Sequence, residues 1–169
     1  MKKLFLLSIL LSGVTLTAPA QKKLYLAQNP VWVEWADAPK TQPTPPEYAT
    51  QPALVLLNET RIDYRLEGND LVKHVTRHTI TKVVDDRGIE RYSTMYVPLT
   101  RGAKVTQIKV RTVSPSGKVY VLDKERVLLG RDGNYYTLVL PSEGVEKGSE
   151  IELLLKEVNP FDFNGTEMF

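Results

Sequence analysis

The 169-residue chain is 42% hydrophobic and 25% charged, a composition typical of a globular protein. It has no cysteine, which excludes disulfide bonds and a thiol nucleophile. Its 22 basic side chains exceed the 20 acidic ones only by Lys2 and Lys3, so the rest of the chain carries no basic excess that would favour nucleic acid.

The first twenty residues have the pattern of an export signal. Met1 to Lys3 is positively charged, Leu4 to Leu11 is apolar, and Ala18 to Ala20 has the small residues of a cleavage site. The apolar run is shorter than the stretch that a membrane-spanning helix usually needs. We therefore expect residues 1–20 to be a signal peptide, and the mature protein to be periplasmic or secreted.

A proline-rich arm is expected over residues 21–52, much of it in extended polyproline II conformation. It contains both tryptophans of the chain, Trp32 and Trp35. They are interpreted either as an aromatic platform for a ligand or as the anchor of a short strand that is pinned to the folded domain. The second interpretation is preferred, because Val31 to Trp35 alternates like a short strand.

From Ala53 the sequence is rich in strand-forming residues, separated by turns of Asn, Asp, Gly and Pro. A single helical turn, capped by Asp123, is expected within Asp123–Leu129. Turns are expected at Glu67–Asp70, Asp85–Gly88 and Gly130–Asn134. This spacing predicts an all-β fold, an antiparallel β-sandwich or open barrel with at most one short helix, over residues 53–158. The expected strands are Ala53–Leu66, Leu71–Val84, one within Ile89–Leu99, Val105–Val113, Lys118–Leu122, Tyr135–Leu140 and Ile151–Val158.

The clearest turn is Ser114-Pro115-Ser116-Gly117, between two alternating runs. A two-residue loop would place Thr112 opposite Val119, whereas a loop with a glycine bulge would place Thr112 opposite Tyr120. Both registers bring apolar residues together, so the sequence leaves the choice open. Period-two placement predicts a buried set. Its members are Val55, Leu57, Ile80, Ile108, Val110, Val119, Val121, Leu138, Leu140, Ile151 and Leu153.

Residues 159–169 are unusually apolar, with Phe161, Phe163, Met168 and Phe169. Chain termini are more often polar and frayed. We expect this segment to begin a linker or strand that leads toward a downstream domain of a longer protein.

Five segments in this order resemble a bacterial domain of unknown function that precedes transglutaminase-like cores in exported proteins. The resemblance implies an all-β accessory domain, with Cys-His-Asp chemistry in the domain that follows. No catalytic residue can be transferred, because this chain has no cysteine. The segments are Ala53–Glu59, Arg77–Val83, Ser114–Val119, Leu138–Pro141 and Gly148–Glu152.

Metal and catalytic motifs are weak. His74 and His78 would lie about 13 Å apart along a strand, too far for one metal ion. The acidic turns at Asp85-Asp86 and Asp132-Gly133-Asn134 lack the ligand spacing of a calcium loop. No G-x-S-x-G elbow and no glycine-rich phosphate loop is present. No metal, cofactor or catalytic residue is therefore expected.

Trp32, Trp35, Tyr135 and Tyr136 form the candidate binding surface. The main hypothesis is a non-catalytic accessory domain that docks to, presents substrate to, or covers a transglutaminase-like domain of the same longer protein. The alternative is a free-standing carbohydrate- or envelope-binding β-module, in which the aromatic side chains would stack on sugars. Protein or glycan of the cell envelope is then the expected partner.

Overall fold

The computed structural model describes residues 41–132 and 135–160. Within them the chain forms antiparallel strands in two sheets, one α-helix of seven residues, and 3-10 turns at Pro46–Tyr48 and Lys124–Arg126. The predicted all-β class is confirmed. The elements are β1 (Ala53–Glu67), β2 (Asp70–Val83), α1 (Asp86–Tyr92), β3 (Thr94–Leu99), β4 (Lys104–Val113), β5 (Val119–Val121), β6 (Leu128–Asp132), β7 (Tyr135–Pro141) and β8 (Glu150–Pro160).

The two sheets differ in size and in how their strands connect. The larger sheet has the order β1-β2-β8-β4-β5, and the smaller has the order β3-β7-β6. Strand β8, the last in the chain, lies between β2 and β4 and joins two hairpins that are distant in sequence. Burying apolar side chains between the two sheets is the main stabilising contribution to such a fold.

The core lies between the inner faces of the two sheets. Ile108, Leu138, Leu140 and Leu155 are fully buried within one cluster that includes residues from both sheets. Six of the side chains predicted to be buried are buried, and Leu57, Ile80 and Val119 are half-buried. The six are Ile108, Val110, Leu138, Leu140, Ile151 and Leu153.

Two predicted core residues, Val55 and Val121, are instead exposed, at 57% and 59%. Val55 lies on strand β1 beside a bulge between Val55 and Leu57, and β1 is the end strand of the larger sheet among the described residues. Val121 is opposite Arg111 on the outer face of the larger sheet. A shift of one residue moves a side chain to the other face, and the register therefore decides its burial.

The β4–β5 hairpin adopts the glycine-bulge register. Thr112 pairs with Tyr120, and the Leu122 N–H donates to the Val110 carbonyl at 3.0 Å. Gly117 has φ +84°, a left-handed backbone conformation that residues other than glycine rarely adopt. The Gly117 N–H donates to the Ser114 carbonyl at 2.9 Å, which closes the predicted turn.

Helix α1 replaces the turn predicted at Asp85–Gly88 and the first part of the strand predicted within Ile89–Leu99. The Asp85 side chain caps the helix by accepting from the Gly88 N–H at 3.1 Å. Gly88 lies so close to the Pro52 carbonyl that a Cβ would be 2.0 Å from its oxygen. The absent side chain therefore allows the helix to pack directly against the segment that precedes β1.

The turn predicted at Gly130–Asn134 is also corrected in part. Strand β6 continues through Asp132 and pairs with β7, and residues 133 and 134 lie outside the described residues. The expected helical turn after Asp123 is confirmed as a 3-10 turn, with the Asp123 carboxylate accepting from the Glu125 N–H at 2.9 Å. No helix among the described residues is long and apolar enough to cross a membrane.

Candidate functional site

The β1–β2 hairpin extends beyond the packed core. Residues 58–70 are all exposed, and the hairpin closes through Gly68 at φ +65°. Ile62, Tyr64 and Leu66 of β1, which we call the hairpin face, are 42%, 50% and 71% exposed. Three neighbouring apolar side chains at these exposures are unusual for the outside of a small domain.

The hairpin face belongs to the inner side of the larger sheet. Ile62 is opposite Val75, Val75 is opposite Glu157, and Glu157 is opposite the core residue Val105. Residues that are directly opposite in a sheet point to the same side. The hairpin face therefore continues the core-facing side of the larger sheet, beyond the region that packs against the smaller sheet.

A buried carboxylate lies where the hairpin meets the core. The Glu157 side chain is fully buried, and one of its oxygens lies 3.1 Å from Nη2 of Arg77. Burial raises the pKa of Glu157, against the attraction of Arg77 and Lys73, because the charged form loses its hydration. Arg77 also donates to the Pro98 carbonyl at 3.4 Å, which links the hairpin to the smaller sheet.

A polar network crosses the outer side of the larger sheet. Glu152 accepts from Nε of Arg111 at 2.7 Å, and its other oxygen lies 2.7 Å from Nε2 of His78. Beside it, Nζ of Lys82 lies 3.4 Å from Glu150, which also accepts from the Gln42 N–H at 2.6 Å. These charges are largely buried and paired, as buried charges must be to avoid a large desolvation cost. The network ties β2, β8 and β4 together.

The two histidines occupy half-exposed strand positions. Nε2 of His74 lies 2.9 Å from Glu67, and His78 is engaged by Glu152. Each imidazole therefore contacts a different carboxylate. The two histidines are four residues apart on β2, so their side chains are well separated along the strand. Among residues 41–132 and 135–160, no three His, Cys, Asp or Glu side chains are grouped so that they could hold a metal ion.

Only part of the candidate aromatic surface is described. The Tyr136 ring packs against the core, and the Arg131 guanidinium lies 5.5 Å from its centre. Trp32 and Trp35 lie outside the described residues, as does the side chain of Tyr135. Tyr136 therefore has a packing role beside the core.

The acidic pair Asp85-Asp86 serves helix α1. Hydrogen bonds from the Arg87 side chain and from the Gly88 N–H hold the pKa of Asp85 below its usual value. Asp86 pairs with Lys147 at 3.0 Å on the surface. Both carboxylates thus have local structural partners. The side chain of Asp132, in the other candidate calcium turn, lies outside the described part of the chain.

Comparison with known proteins gives a fold likeness only. No family model and no curated protein matches the sequence. A solved structure, of a provisionally named protease from Parabacteroides distasonis, matches with a TM-score of 0.51 and 10% identity. The match covers 63% of this chain and 23% of that chain. At this identity the likeness concerns the fold, and the matched part is less than a quarter of the longer protein.

The sequence itself carries a signal for the hairpin face. Residues 59–67 alternate strictly between charged and other side chains, with Thr60, Ile62, Tyr64 and Leu66 at the even positions. This pattern predicts one apolar side, but it does not reveal that the apolar side is left uncovered. Glu157 was likewise visible as the last acid of an apolar run, and only the pairing of β8 shows that it is buried.

Proposed function

We propose that this chain is a non-catalytic accessory domain of an exported transglutaminase-like protein, and that it binds the catalytic domain through the hairpin face. The observation that carries the proposal is the continuation of the core-facing surface onto Ile62, Tyr64 and Leu66, beyond the smaller sheet. An exposed apolar surface of this kind is normally covered by a binding partner. The resemblance in sequence supplies the identity of the partner.

The chemistry of the chain favours a binding role. Transglutaminase-like catalysis needs a thiolate, and the chain contains no cysteine. A serine mechanism needs an imidazole within hydrogen-bond reach of the nucleophile. His74 and His78 instead contact the carboxylates of Glu67 and Glu152.

The structural neighbour supports the idea that this chain is one domain of a larger protein. The matched fold makes up 23% of that chain, so in that protein the same arrangement of strands is joined to a much longer remainder. We extend this to the present chain and place a catalytic domain after Phe169. Residues 1–20 then direct export, so that the whole protein acts in the periplasm or outside the cell.

The first test is activity. The coding sequence beyond Phe169 is determined, and the purified chain is assayed for amine incorporation and peptide hydrolysis beside the longer protein. We expect turnover only when the downstream domain is present. Turnover by the chain alone would overturn the proposal, and so would a reading frame that stops at Phe169.

The second test concerns binding. The downstream domain is titrated with the chain and with Leu66→Arg, which places a charge in the hairpin face. The control is Lys124→Glu, an exposed position in the 3-10 turn that follows β5, the strand at the other end of the larger sheet from β1. We expect only Leu66→Arg to weaken binding. If neither protein binds, glycan and peptidoglycan binding become the next measurement, because the alternative function is a carbohydrate- or envelope-binding module.

A further inference from the structure

Among the strands of the described residues, β1 is a long edge of the larger sheet. It is the end strand in the order β1-β2-β8-β4-β5, and it has 15 residues. Its bulge lies between Val55 and Leu57, so residues 58–67 form a regular, exposed stretch. An edge strand offers backbone N–H and C=O groups to another strand, and proteins usually shorten or disrupt such edges. This edge is neither short nor disrupted over ten residues.

The hairpin geometry determines which backbone groups face outward. Glu67 pairs with Asp70 across the two residues Gly68 and Asn69. The pair that flanks a two-residue loop is hydrogen-bonded, and hydrogen-bonded pairs alternate along an antiparallel ladder. Odd-numbered residues of β1 therefore bond to β2, and even-numbered ones such as Thr60 and Ile62 direct their backbone groups toward the open edge.

The outer side of this edge carries a charge row, consisting of Glu59, Arg61, Asp63, Arg65 and Glu67. The signs alternate at every step. Within the strand the ion pairs are long, 3.9 Å for Arg61–Glu59 and 3.8 Å for Arg65–Asp63, and these side chains are about half exposed or more. Such pairs are weak in water, so the row can exchange them for partners on an added strand.

The charge row is complementary to itself. In an antiparallel pair of two β1 strands, a two-fold axis through Asp63 would place Asp63 opposite Asp63 and Arg61 opposite Arg65. An axis through Ile62 or Tyr64 places only opposite charges together. Opposite charges that face each other across strands are stabilising, and like charges are destabilising.

We propose that two copies of this chain associate edge to edge through β1, antiparallel and with the two-fold axis at Tyr64. Of the two registers that the charges allow, this one places Ile62 of each copy opposite Leu66 of the other, so the exposed apolar side chains also pair. The outer side then has Asp63 opposite Arg65 twice. The two larger sheets become one continuous sheet, as in other complexes formed by strand addition.

The proposal is independent of the partner domain. Edge pairing needs the backbone and the outer charge row in addition to the pairing of Ile62 with Leu66, whereas the proposed docking of a catalytic domain uses only the inner side of the hairpin. The charge-row variants below leave the hairpin face intact, so the two ideas can fail separately.

The first experiment measures the mass of the purified chain in solution, by sedimentation equilibrium over a concentration series. We expect a mass of two chains that falls to one on dilution. In the Asp63→Lys variant, the new lysine of each copy would lie opposite Arg65 of the other, which makes two like-charge pairs in the dimer. The dissociation constant of the dimer should therefore rise about tenfold or more. The double variant Asp63→Lys with Arg65→Glu restores opposite signs and should recover the dimer.

A circular dichroism spectrum of each variant confirms that it is folded before the masses are compared. A wild-type mass of one chain at every concentration would overturn the proposal. A folded double variant that stays as weak as Asp63→Lys would also overturn it, because the pairing of signs would then have no effect.

The register is tested by disulfide formation, for which the absence of cysteine gives a clean background. Residues at the axis face their own copies, with Cα atoms about 5.5 Å apart in a hydrogen-bonded pair, which is within disulfide reach. Tyr64→Cys should therefore cross-link rapidly on oxidation. Ile62→Cys is the control, because the two copies of that residue would be at least about 13 Å apart. Faster cross-linking of Ile62→Cys would refute the proposed register.

Discussion

Replacing Leu155 by alanine tests whether the core lies where the two sheets meet. Leu155 is fully buried in the middle of β8, opposite Ile108. The substitution removes three carbons, and about 0.8 kcal/mol per buried methylene gives about 2.4 kcal/mol for transfer alone. A residual cavity raises the expected loss to about 3–5 kcal/mol. That is a large part of the 5–15 kcal/mol that is usual for a domain.

Leu128→Ala is the matched control, because the same atoms are removed from a side chain that is 54% exposed. Its expected loss is about 1 kcal/mol, the buried share of the same transfer energy. The assay is urea unfolding followed by circular dichroism, with the free energy of unfolding taken from the linear dependence on urea. Equal losses for the two variants would refute the placement of the core between the sheets.

Three further substitutions test charge and packing. Because burial raises the pKa of Glu157, the folded state holds a proton that the unfolded state has lost between the ordinary glutamate pKa and the raised one. The free energy of unfolding should therefore fall as the pH rises through that window. Glu157→Gln should abolish this part of the fall, measured as the urea midpoint at each pH. Gly88→Ala should lower the free energy of unfolding by about 1–3 kcal/mol, despite the better helix propensity of alanine, because its Cβ would meet the Pro52 carbonyl; an unchanged thermal midpoint would contradict that contact. Arg111→Met should cost about 3–5 kcal/mol by leaving Glu152 buried without its guanidinium, and adding Glu152→Met should recover most of the loss.

Local sequence chemistry was enough to predict every strand except β6, where turns were expected, and the turns at Glu67–Asp70 and Ser114–Gly117. Ser114-Pro115-Ser116-Gly117 has the proline and glycine that its turn requires, and the structure has that turn. The register of the hairpin was not predictable, because both alternatives paired apolar residues. The exposure of Val121 follows from that register, since one residue of shift moves it to the outer face.

Helix α1 was missed because seven residues are too few for periodicity to distinguish helix from strand. The capping aspartate and Gly88 were present in the sequence, but they are equally typical of a turn. In the structure the helix packs closely against Pro52 at Gly88, a contact between segments that are separated along the chain and that has no local sequence signal.

The candidate site was less predictable than the fold. The alternation of Ile62, Tyr64 and Leu66 is visible in the sequence, but its exposure depends on how far the smaller sheet extends. Glu157 lies between Val75 and Val105, which come from two other strands. Such features follow from topology, and the position of β8 between β2 and β4 has no local sequence signal.

The central claim, that the hairpin face binds a catalytic domain, is tested most directly by amide hydrogen exchange. The chain is compared alone and with the downstream domain, in an Asp63→Lys background that weakens association of two copies through β1, and at a concentration where the chain alone is monomeric. We predict that binding slows exchange across residues 60–66 and 71–75 and leaves strands β6 and β7 unchanged. Unchanged exchange in the hairpin, with the downstream domain bound or with no binding at all, would contradict the account.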